Sequence, residues 1–287
     1  MQLKPFVTSR TVLGLVLASV LFAVSACSTT ESLDLRANQV APVPTKYAAI
    51  VVDVKTGEAL YSSNANAPRY PASLTKMMTL FMLFEAMQQG RVNRDSLIPI
   101  SANAARQPPS KIGLKPGQTI PVDTAIRALV VKSGNDVATA VGEYLAAGSE
   151  QRFAEMMTAR ARSLGMSSTT FRNASGLPDP GQVTTATDMA RLAIALRRNF
   201  PQYYGYFSQR EMSIAGRQIK GHNRAMDMIP GADGIKTGYT RASGFNLTTS
   251  VQRGGHSVVG VVMGEDTAKI RDARMAELIA AAIIRAK

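Results

Sequence analysis

A serine and a lysine lie three residues apart in the stretch PASLTK (residues 71–76), at the head of an apolar run. The run, MMTLFMLFEAM, meets no glycine or proline before Gly90, so it predicts a buried helix that begins near Ser73. Positions i and i+3 share a helix face, so both side chains would point the same way. There Lys76 could take the proton of the serine hydroxyl and make it a nucleophile. A capping serine beside a solvated lysine is the ordinary alternative, and the pair alone does not decide.

Two further polar elements follow this pair along the chain, SGN at residues 133–135 and KTG at residues 236–238. The first interrupts two predicted helical stretches, and the second lies on a predicted strand entered after ADGI. The ordered set resembles the Ser-x-x-Lys, Ser-x-Asn and Lys-Thr-Gly motifs of penicillin-binding proteins and class A β-lactamases. Each element arises easily by chance, but the ordered triple in fitting contexts favours a serine acyl-transfer site.

From about Lys46 onward the chain resembles the low-molecular-mass penicillin-binding proteins, the serine D-alanyl-D-alanine carboxypeptidases. The resemblance extends to the flanking stretches GLKPGQTI, NASGLPDPGQVTTATDMARL and GADGIKTGYT. It implies a β-lactamase-like transpeptidase fold and removal of the terminal D-alanine from peptidoglycan pentapeptides without a cofactor. Peptidoglycan stem peptides would be the substrates, and β-lactam antibiotics would be acylating inhibitors. Many family members carry a further C-terminal β-rich domain and an amphipathic anchor, and this chain departs from that plan because it ends at its last predicted helix.

The resemblance assigns catalytic roles to three residues. Ser73 would attack the carbonyl between two D-alanines, and Lys76 would be the general base. Ser133 would relay a proton to the departing D-alanine amine. Lys76 can act as a base only when neutral, and the positive end of its helix, partial burial and the second cation Lys236 would each lower its pKa.

The resemblance also assigns substrate-binding roles. Asn135 would position the substrate amide and Lys76. Lys236 and Thr237 would lie beside the terminal carboxylate of the substrate, and Gly238 would let the substrate backbone lie against its strand. The backbone N–H groups of Ser73 and Tyr239 would donate hydrogen bonds to the oxyanion. Arg271 would be a further carboxylate contact, with an ordinary surface arginine on the last helix as the alternative.

The elements that would position these residues indicate an α+β fold with a largely antiparallel sheet flanked by helices. Strands are predicted for YAAIVVDV and EALYSS near one end of the chain, and for EMSIAG, GFNLTTSVQ and HSVVGVVMG near the other. Helices are predicted from Ser149, from Asp188 after Thr187, and over the closing stretch TAKIRDARMAELIAAAIIRAK. We therefore expect one catalytic domain over residues 46–287.

The first 26 residues have the pattern of a secretory signal peptide, with Lys4 and Arg10 before the apolar stretch TVLGLVLASVLFAVSA. Cys27 follows in a context that resembles a bacterial lipobox, which predicts a lipid-modified mature N-terminus. An uncleaved anchor and a plain signal peptide cut at the same place are the alternatives. Residues 27–45 are predicted to form a flexible tether.

These features predict an exported, periplasmic protein that is held at a membrane by an N-terminal lipid. Ser28 follows Cys27, and by resemblance to lipoprotein sorting signals this favours the outer membrane of a diderm cell.

Composition excludes several other kinds of site. The two histidines, His222 and His256, are too few for a metal cluster, and no Gly-x-Ser-x-Gly elbow supports a Ser-His-Asp triad, so both histidines are taken as structural or surface residues. The single cysteine leaves the exported domain without an intramolecular disulfide. The net charge of +13 favours anionic cell-wall polymers or lipid headgroups, or is simply solubilising. No arginine-rich run or aromatic–basic pattern indicates nucleic acid.

Three other functions compete with the carboxypeptidase hypothesis. A DD-endopeptidase would use the same residues on cross-linked peptidoglycan, and the sequence does not separate the two. A β-lactamase is disfavoured because no Glu-x-x-Leu-Asn stretch supplies a second base. A non-catalytic peptidoglycan-binding lipoprotein on the same fold would usually have lost the nucleophile or its lysine, and this chain keeps both.

Overall fold

The structure is a computed structural model that describes residues 46–214 and 216–287. The predicted signal peptide (1–26), the lipidation candidate Cys27 and the predicted tether (27–45) lie outside the described residues.

A five-stranded antiparallel sheet forms the frame of the described part of the chain. Its strands are β1 (Ala48–Asp53), β2 (Ala59–Ser63), β7 (Ala232–Thr240), β8 (Gly244–Arg253) and β9 (His256–Glu265). Their order across the sheet is β2-β1-β9-β8-β7, and each neighbouring pair is antiparallel. The predicted sheet built from both ends of the sequence is therefore confirmed.

In the described part of the chain, four short strands form two separate two-stranded antiparallel sheets. They are β3 (Leu97–Pro99) with β4 (Thr119–Pro121), and β5 (Glu211–Ile214) with β6 (Arg217–Lys220). The predicted strand EMSIAG is β5, but it pairs with β6 and does not join the main sheet. Three-residue strands such as β3 and β4 are too short to give a periodic signal, so the sequence did not reveal them.

Helices cover both faces of the main sheet. They are α1 (Lys76–Gln88), α2 (Ala102–Arg106), α3 (Val122–Arg127), α4 (Asn135–Leu145), α5 (Glu150–Ser163), α6 (Ala186–Asn199), α7 (Pro201–Tyr204), α8 (Ala225–Met228) and α9 (Ala268–Ile283). Alternate residues of β1 point to opposite faces. Ile50 and Val52 join the core that contains α1, α4, α5 and α6, whereas Ala49 and Val51 join the smaller core that contains α9.

Helix α1 lies at the centre of the larger core, and eleven of its thirteen residues are buried. A helix that is apolar around its whole circumference is stable only when it is enclosed by other elements. A short 3₁₀ turn, Ala72–Thr75, leads directly into α1. The prediction of a buried helix that begins near Ser73 is therefore confirmed.

Side-chain caps determine where several other helices begin. The Ser149 hydroxyl accepts the N–H of Arg152 at 3.2 Å, which confirms the predicted start of α5. Helix α6 begins two residues earlier than predicted, at Ala186. Its cap is Thr185, whose hydroxyl accepts the N–H of Asp188 at 3.1 Å.

Among the described residues, no helix is both long enough and apolar enough to cross a bilayer.

Candidate active site

The candidate nucleophile Ser73 lies in the 3₁₀ turn that precedes α1. Ala72, just before it, has a φ of 49°, in the left-handed region that non-glycine residues rarely adopt. Its carbonyl packs against Gly176, where an added Cβ would lie only 1.8 Å from the Ala72 oxygen. Gly176 also has a φ of +85°, so both its conformation and its packing require glycine.

The candidate base Lys76 is completely buried, at 0% exposure. Its Nζ lies 3.1 Å from Ser73 Oγ, and it donates to Asn135 Oδ1 at 2.7 Å and to the Ser175 carbonyl at 2.5 Å. A neutral amine has two N–H groups and one lone pair. The two carbonyl oxygens can accept both N–H groups, which leaves the lone pair directed at the serine hydroxyl.

The pKa of Lys76 lies well below its usual value because the side chain is buried and because the Lys236 ammonium is near. The carboxylates of Asp136 and Glu150 oppose this effect and raise the same pKa. Burial is the largest of these influences, so the site favours the neutral amine that a general base requires.

Ser133 and Asn135 flank a sharp turn between a π-helical segment, Ala128–Lys132, and α4. Ser133 has a φ of 61°, and its buried hydroxyl has no hydrogen-bond partner among the described residues. Asn135 opens α4, and its Nδ2 donates to the Pro108 carbonyl at 2.9 Å. The Asn135 amide is therefore held between this carbonyl and Lys76, while the Ser133 hydroxyl remains available to a substrate.

Asp136 is a functional candidate that the sequence reasoning missed. Its buried carboxylate accepts the N–H groups of Ile112 at 3.0 and 3.1 Å, Gly113 at 2.8 Å and Val137 at 2.9 Å. These bonds hold the loop before β4 against the start of α4, next to Asn135. The sequence pattern that could have identified Asp136 is an acidic residue in the first turn of a predicted helix.

Strand β7 carries Lys236, Thr237 and Gly238 past the serine turn. An added Cβ on Gly238 would lie 3.0 Å from the Ser73 nitrogen, so glycine allows the strand and the turn to approach closely. Lys236 is 2% exposed and donates to the Thr237 carbonyl at 2.8 Å. Burial, together with the nearby Arg271 guanidinium, lowers the pKa of Lys236 to about 7.

Tyr239 and Arg271 complete the predicted set. The Tyr239 side chain is 55% exposed, and its ring stacks on Phe245 with centroids 4.2 Å apart. Arg271 is only 4% exposed, so the surface alternative for this residue is wrong. Its guanidinium donates to Asp272 Oδ1 at 2.7 and 2.9 Å and to the Asn246 carbonyl at 3.3 Å.

A cleft of about 890 Å³ collects most of the predicted residues along its wall. The wall includes Ser73, Ser133, Asn135, Thr237, Gly238, Tyr239 and Arg271. Lys76 and Lys236 are buried behind it. Residues far apart in the sequence therefore meet around the Ser73 hydroxyl.

His222 also lines this cleft, which the expectation of a merely structural or surface histidine did not anticipate. Partial burial lowers its pKa, and the cations Lys236 and Lys132 lower it further. The imidazole is therefore predominantly neutral at pH 7. Arg224, two residues along the chain, lies on the same wall and was likewise not predicted.

Within the described residues, no group of three or more His, Cys, Asp or Glu side chains could hold a metal ion. The chemistry that the arrangement can perform is acyl transfer to a serine, because a hydroxyl, a buried amine and backbone donors converge on one open cleft.

Comparison with known proteins relates this site to a family. Residues 37–267 match the Peptidase_S11 family model, described as D-alanyl-D-alanine carboxypeptidase. The D-alanyl-D-alanine carboxypeptidase DacF of Bacillus subtilis is 33% identical over 235 residues, which is 80% of this chain and 60% of that protein. The chain thus spans about 60% of the length of this relative.

Solved structures give the same relationship. The crystal structure of the D-alanyl-D-alanine carboxypeptidase DacD from Francisella tularensis matches with a TM-score of 0.78 and 30% identity over 82% of this chain and 69% of that one. Penicillin-Binding Protein D2 from Listeria monocytogenes, solved in a cefotaxime-bound form, matches with a TM-score of 0.74 and 31% identity over 82% of this chain and 96% of that one.

Proposed function

The chain belongs to the D-alanyl-D-alanine carboxypeptidase family, and on this premise we propose that it removes the terminal D-alanine from peptidoglycan pentapeptides through a Ser73 acyl-enzyme. The observation that carries the proposal is the 3.1 Å approach of Lys76 Nζ to Ser73 Oγ, made by a lysine that is fully buried. An amine in that position can take the serine proton as the new bond forms.

In the acylation step, Ser73 Oγ attacks the carbonyl carbon between the two D-alanines, and its proton passes to Lys76. The resulting oxyanion would accept the N–H groups of Ser73 and Tyr239. This role is supported by the close approach of the neighbouring Gly238 to the Ser73 nitrogen. Backbone donors placed in this way stabilise the charge that develops in the transition state.

Collapse of the tetrahedral intermediate breaks the carbon–nitrogen bond and releases D-alanine. The proton held by Lys76 would reach the leaving nitrogen through the Ser133 hydroxyl. This role is supported by the buried position of the hydroxyl, which has no hydrogen-bond partner in the described part of the chain. In the second half of the reaction a water molecule gives its proton to neutral Lys76 and attacks the ester carbonyl. The shortened peptide then leaves, and Ser73 recovers its proton.

Recognition of the terminal carboxylate is assigned to Lys236, Thr237 and Arg271. Thr237 and Arg271 line the cleft, and Lys236 lies behind it. A bound carboxylate would raise the pKa of Lys236 from about 7, because an opposite charge nearby favours the ammonium form. Substrate binding would therefore supply the charge that offsets the burial of this lysine.

We propose the same acylation chemistry for β-lactams, in which Ser73 opens the lactam ring. The ring carboxylate would occupy the position of the peptide carboxylate. The cefotaxime-bound form of the Listeria monocytogenes relative supports this extension.

The test is D-alanine release from a pentapeptide that ends in D-Ala-D-Ala, together with labelling by a fluorescent penicillin. We expect both reactions with wild type and neither with a folded Ser73→Ala variant. Labelling that survives in Ser73→Ala would refute the assignment of the nucleophile. Penicillin labelling without D-alanine release, accompanied by cleavage of cross-linked muropeptides, would favour a DD-endopeptidase. A folded wild type that performs none of these reactions would favour a binding protein.

We further propose that residues 46–287 form the catalytic domain and that a lipid on Cys27 anchors the exported chain in the periplasm. The support is the position of this single cysteine directly after the predicted signal peptide. Radiolabelled palmitate should be incorporated by wild type and not by Cys27→Ala. Equal incorporation by both would refute the lipid anchor.

A further inference from the structure

Asn246 is a buried residue of β8 that contacts the serine turn from behind the cleft. It is 0% exposed, and it lies directly opposite Gly238 in the β7–β8 register. Its side-chain Nδ2 donates to two consecutive carbonyls, those of Tyr70 at 3.0 Å and Pro71 at 3.1 Å. The side chain therefore joins the sheet to the segment that enters the Ser73 turn.

The other end of the same amide fills a gap in the sheet. The β8–β9 register shifts between Phe245 and Leu247, which pair with Glu265 and Val262. A bulge of this kind leaves backbone groups without ladder partners. Asn246 Oδ1 accepts a hydrogen bond from the N–H of Gly264 at 2.9 Å. One carboxamide therefore supplies hydrogen bonds both to the bulge and to the segment that enters the serine turn.

These contacts fix the distance between two backbone segments that have to cooperate in the proposed reaction. The Pro71 carbonyl also accepts the N–H of Leu74 at 3.2 Å, which starts the turn that presents Ser73. Gly238 lies so close to the serine turn that an added Cβ would be 3.0 Å from the Ser73 nitrogen. A shift of the turn relative to β7 would change the separation of the two N–H groups assigned to the oxyanion, one from each segment.

We infer that Asn246 is a positioning residue that sets the geometry of the oxyanion site by holding the serine turn against β7. The inference rests on the proposed function. Asn246 does not line the cleft and touches no reacting atom, so it acts through the backbone of the turn. Its own carbonyl accepts Arg271 Nη1 at 3.3 Å, which links the same residue to the proposed carboxylate contact.

Two substitutions separate the two ends of the amide. Asn246→Ala removes every side-chain bond, whereas Asn246→Asp keeps an acceptor for Gly264 and loses both donors to the serine turn. If the inference is correct, both variants acylate slowly. Asn246→Asp also turns a carboxylate oxygen toward the Tyr70 and Pro71 carbonyls, which lowers stability. A loss of stability in either variant therefore does not separate a positioning role from a purely structural one.

The decisive readout compares binding of a transition-state analogue with binding of the intact substrate. A peptide boronic acid forms a tetrahedral adduct with Ser73 that places an oxygen in the oxyanion position. We expect boronate affinity and kcat/KM to fall together by about 10- to 100-fold, as for a displaced oxyanion donor, because outright removal of a donor costs about 100- to 1,000-fold. Pentapeptide affinity, measured in a Ser73→Ala background so that no turnover occurs, should change by less than about threefold, because ground-state contacts are kept.

Ser250→Ala is the matched control. Ser250 is buried on the same strand and exchanges hydrogen bonds with Tyr204 at 2.7 Å and Asp233 at 2.5 Å, yet it does not line the cleft. This variant should lose thermal stability to an extent similar to Asn246→Ala, and its ratio of boronate to pentapeptide affinity should match wild type.

Equal weakening of boronate and pentapeptide binding in the Asn246 variants would overturn the inference, as would unchanged kcat/KM. If neither variant folds, Asn246 is structural and the inference fails. A folded wild type without acylation would refute the proposed function itself, whereas an active wild type with unaffected variants would refute this inference alone.

Discussion

Replacing Lys236 with methionine should stabilise the protein while abolishing acylation of Ser73. Lys236 is 2% exposed, and burial together with Arg271 lowers its pKa to about 7 from the usual 10.5. Methionine has a similar length, carries no charge and adapts to buried space. The substitution therefore removes a buried cation that the proposed function needs and the folded state does not.

The size of the effect follows from the two pKa values of Lys236. The interval from 10.5 to about 7 corresponds to about 5 kcal/mol of lost unfolding free energy, at ~1.4 kcal/mol for each pH unit. Below pH 7 the lysine is charged in both states, so the whole cost is present. Between pH 7 and 10.5 the folded protein has released this proton and the unfolded chain keeps it. Unfolding then takes up a proton, so the free energy of unfolding rises with pH.

The shifted pKa of Lys236 thus lowers the free energy of unfolding of the wild-type protein by about 4 kcal/mol at pH 7 and by about 2 kcal/mol at pH 9. The bond from Lys236 to the Thr237 carbonyl is lost in the variant, which offsets about 1 kcal/mol. Lys236→Met should therefore be more stable than wild type by about 3 kcal/mol at pH 7 and by about 1 kcal/mol at pH 9.

Urea unfolding followed by circular dichroism at both pH values measures this difference, and penicillin labelling measures the loss of acylation. The matched control is Lys269→Met, which removes an exposed lysine from the same cleft and should change the free energy of unfolding by less than about 0.5 kcal/mol. A variant no more stable than wild type at pH 7, or a difference that grows between pH 7 and pH 9, would refute the reasoning.

Two further substitutions test the packing and the electrostatics around Ser73. Gly176→Ala should lower the free energy of unfolding by at least about 2 kcal/mol and slow penicillin acylation, because its Cβ would collide with the Ala72 carbonyl at a positive φ. A wild-type midpoint of thermal unfolding together with a wild-type rate of acylation would contradict this packing. Asp136→Asn should move the acidic limb of the acylation rate against pH to lower pH, because the lost carboxylate had raised the pKa of Lys76. Asp136→Asn should also lower the free energy of unfolding by about 1–3 kcal/mol, since the new NH2 group faces backbone donors. If the acidic limb of the acylation rate moves to higher pH instead, the Asp136 charge does not act on Lys76 in this way.

Local patterns in the sequence determined much of the fold. The apolar run after Ser73 required a buried helix, and the alternating and β-branched stretches at both ends of the chain required strands that share a sheet. The family followed from three short motifs in a fixed order. The i, i+3 spacing of Ser73 and Lys76 predicted their contact, because helix geometry alone brings those positions together.

Tertiary structure decided what surrounds that pair. The Ser175 carbonyl that accepts from Lys76, 99 positions away, is a backbone group and has no signature in residue type. Asn246 is one polar residue in a strand, and its bonds to the serine turn depend on a bulge whose position the sequence does not show. His222 enters the cleft wall only because distant elements meet there. Side-chain type and hydrophobic period can be read directly from the sequence. Burial, backbone hydrogen-bond partners and strand register arise only when remote segments pack together, and these three properties set the pKa of Lys76 and the geometry around Ser73.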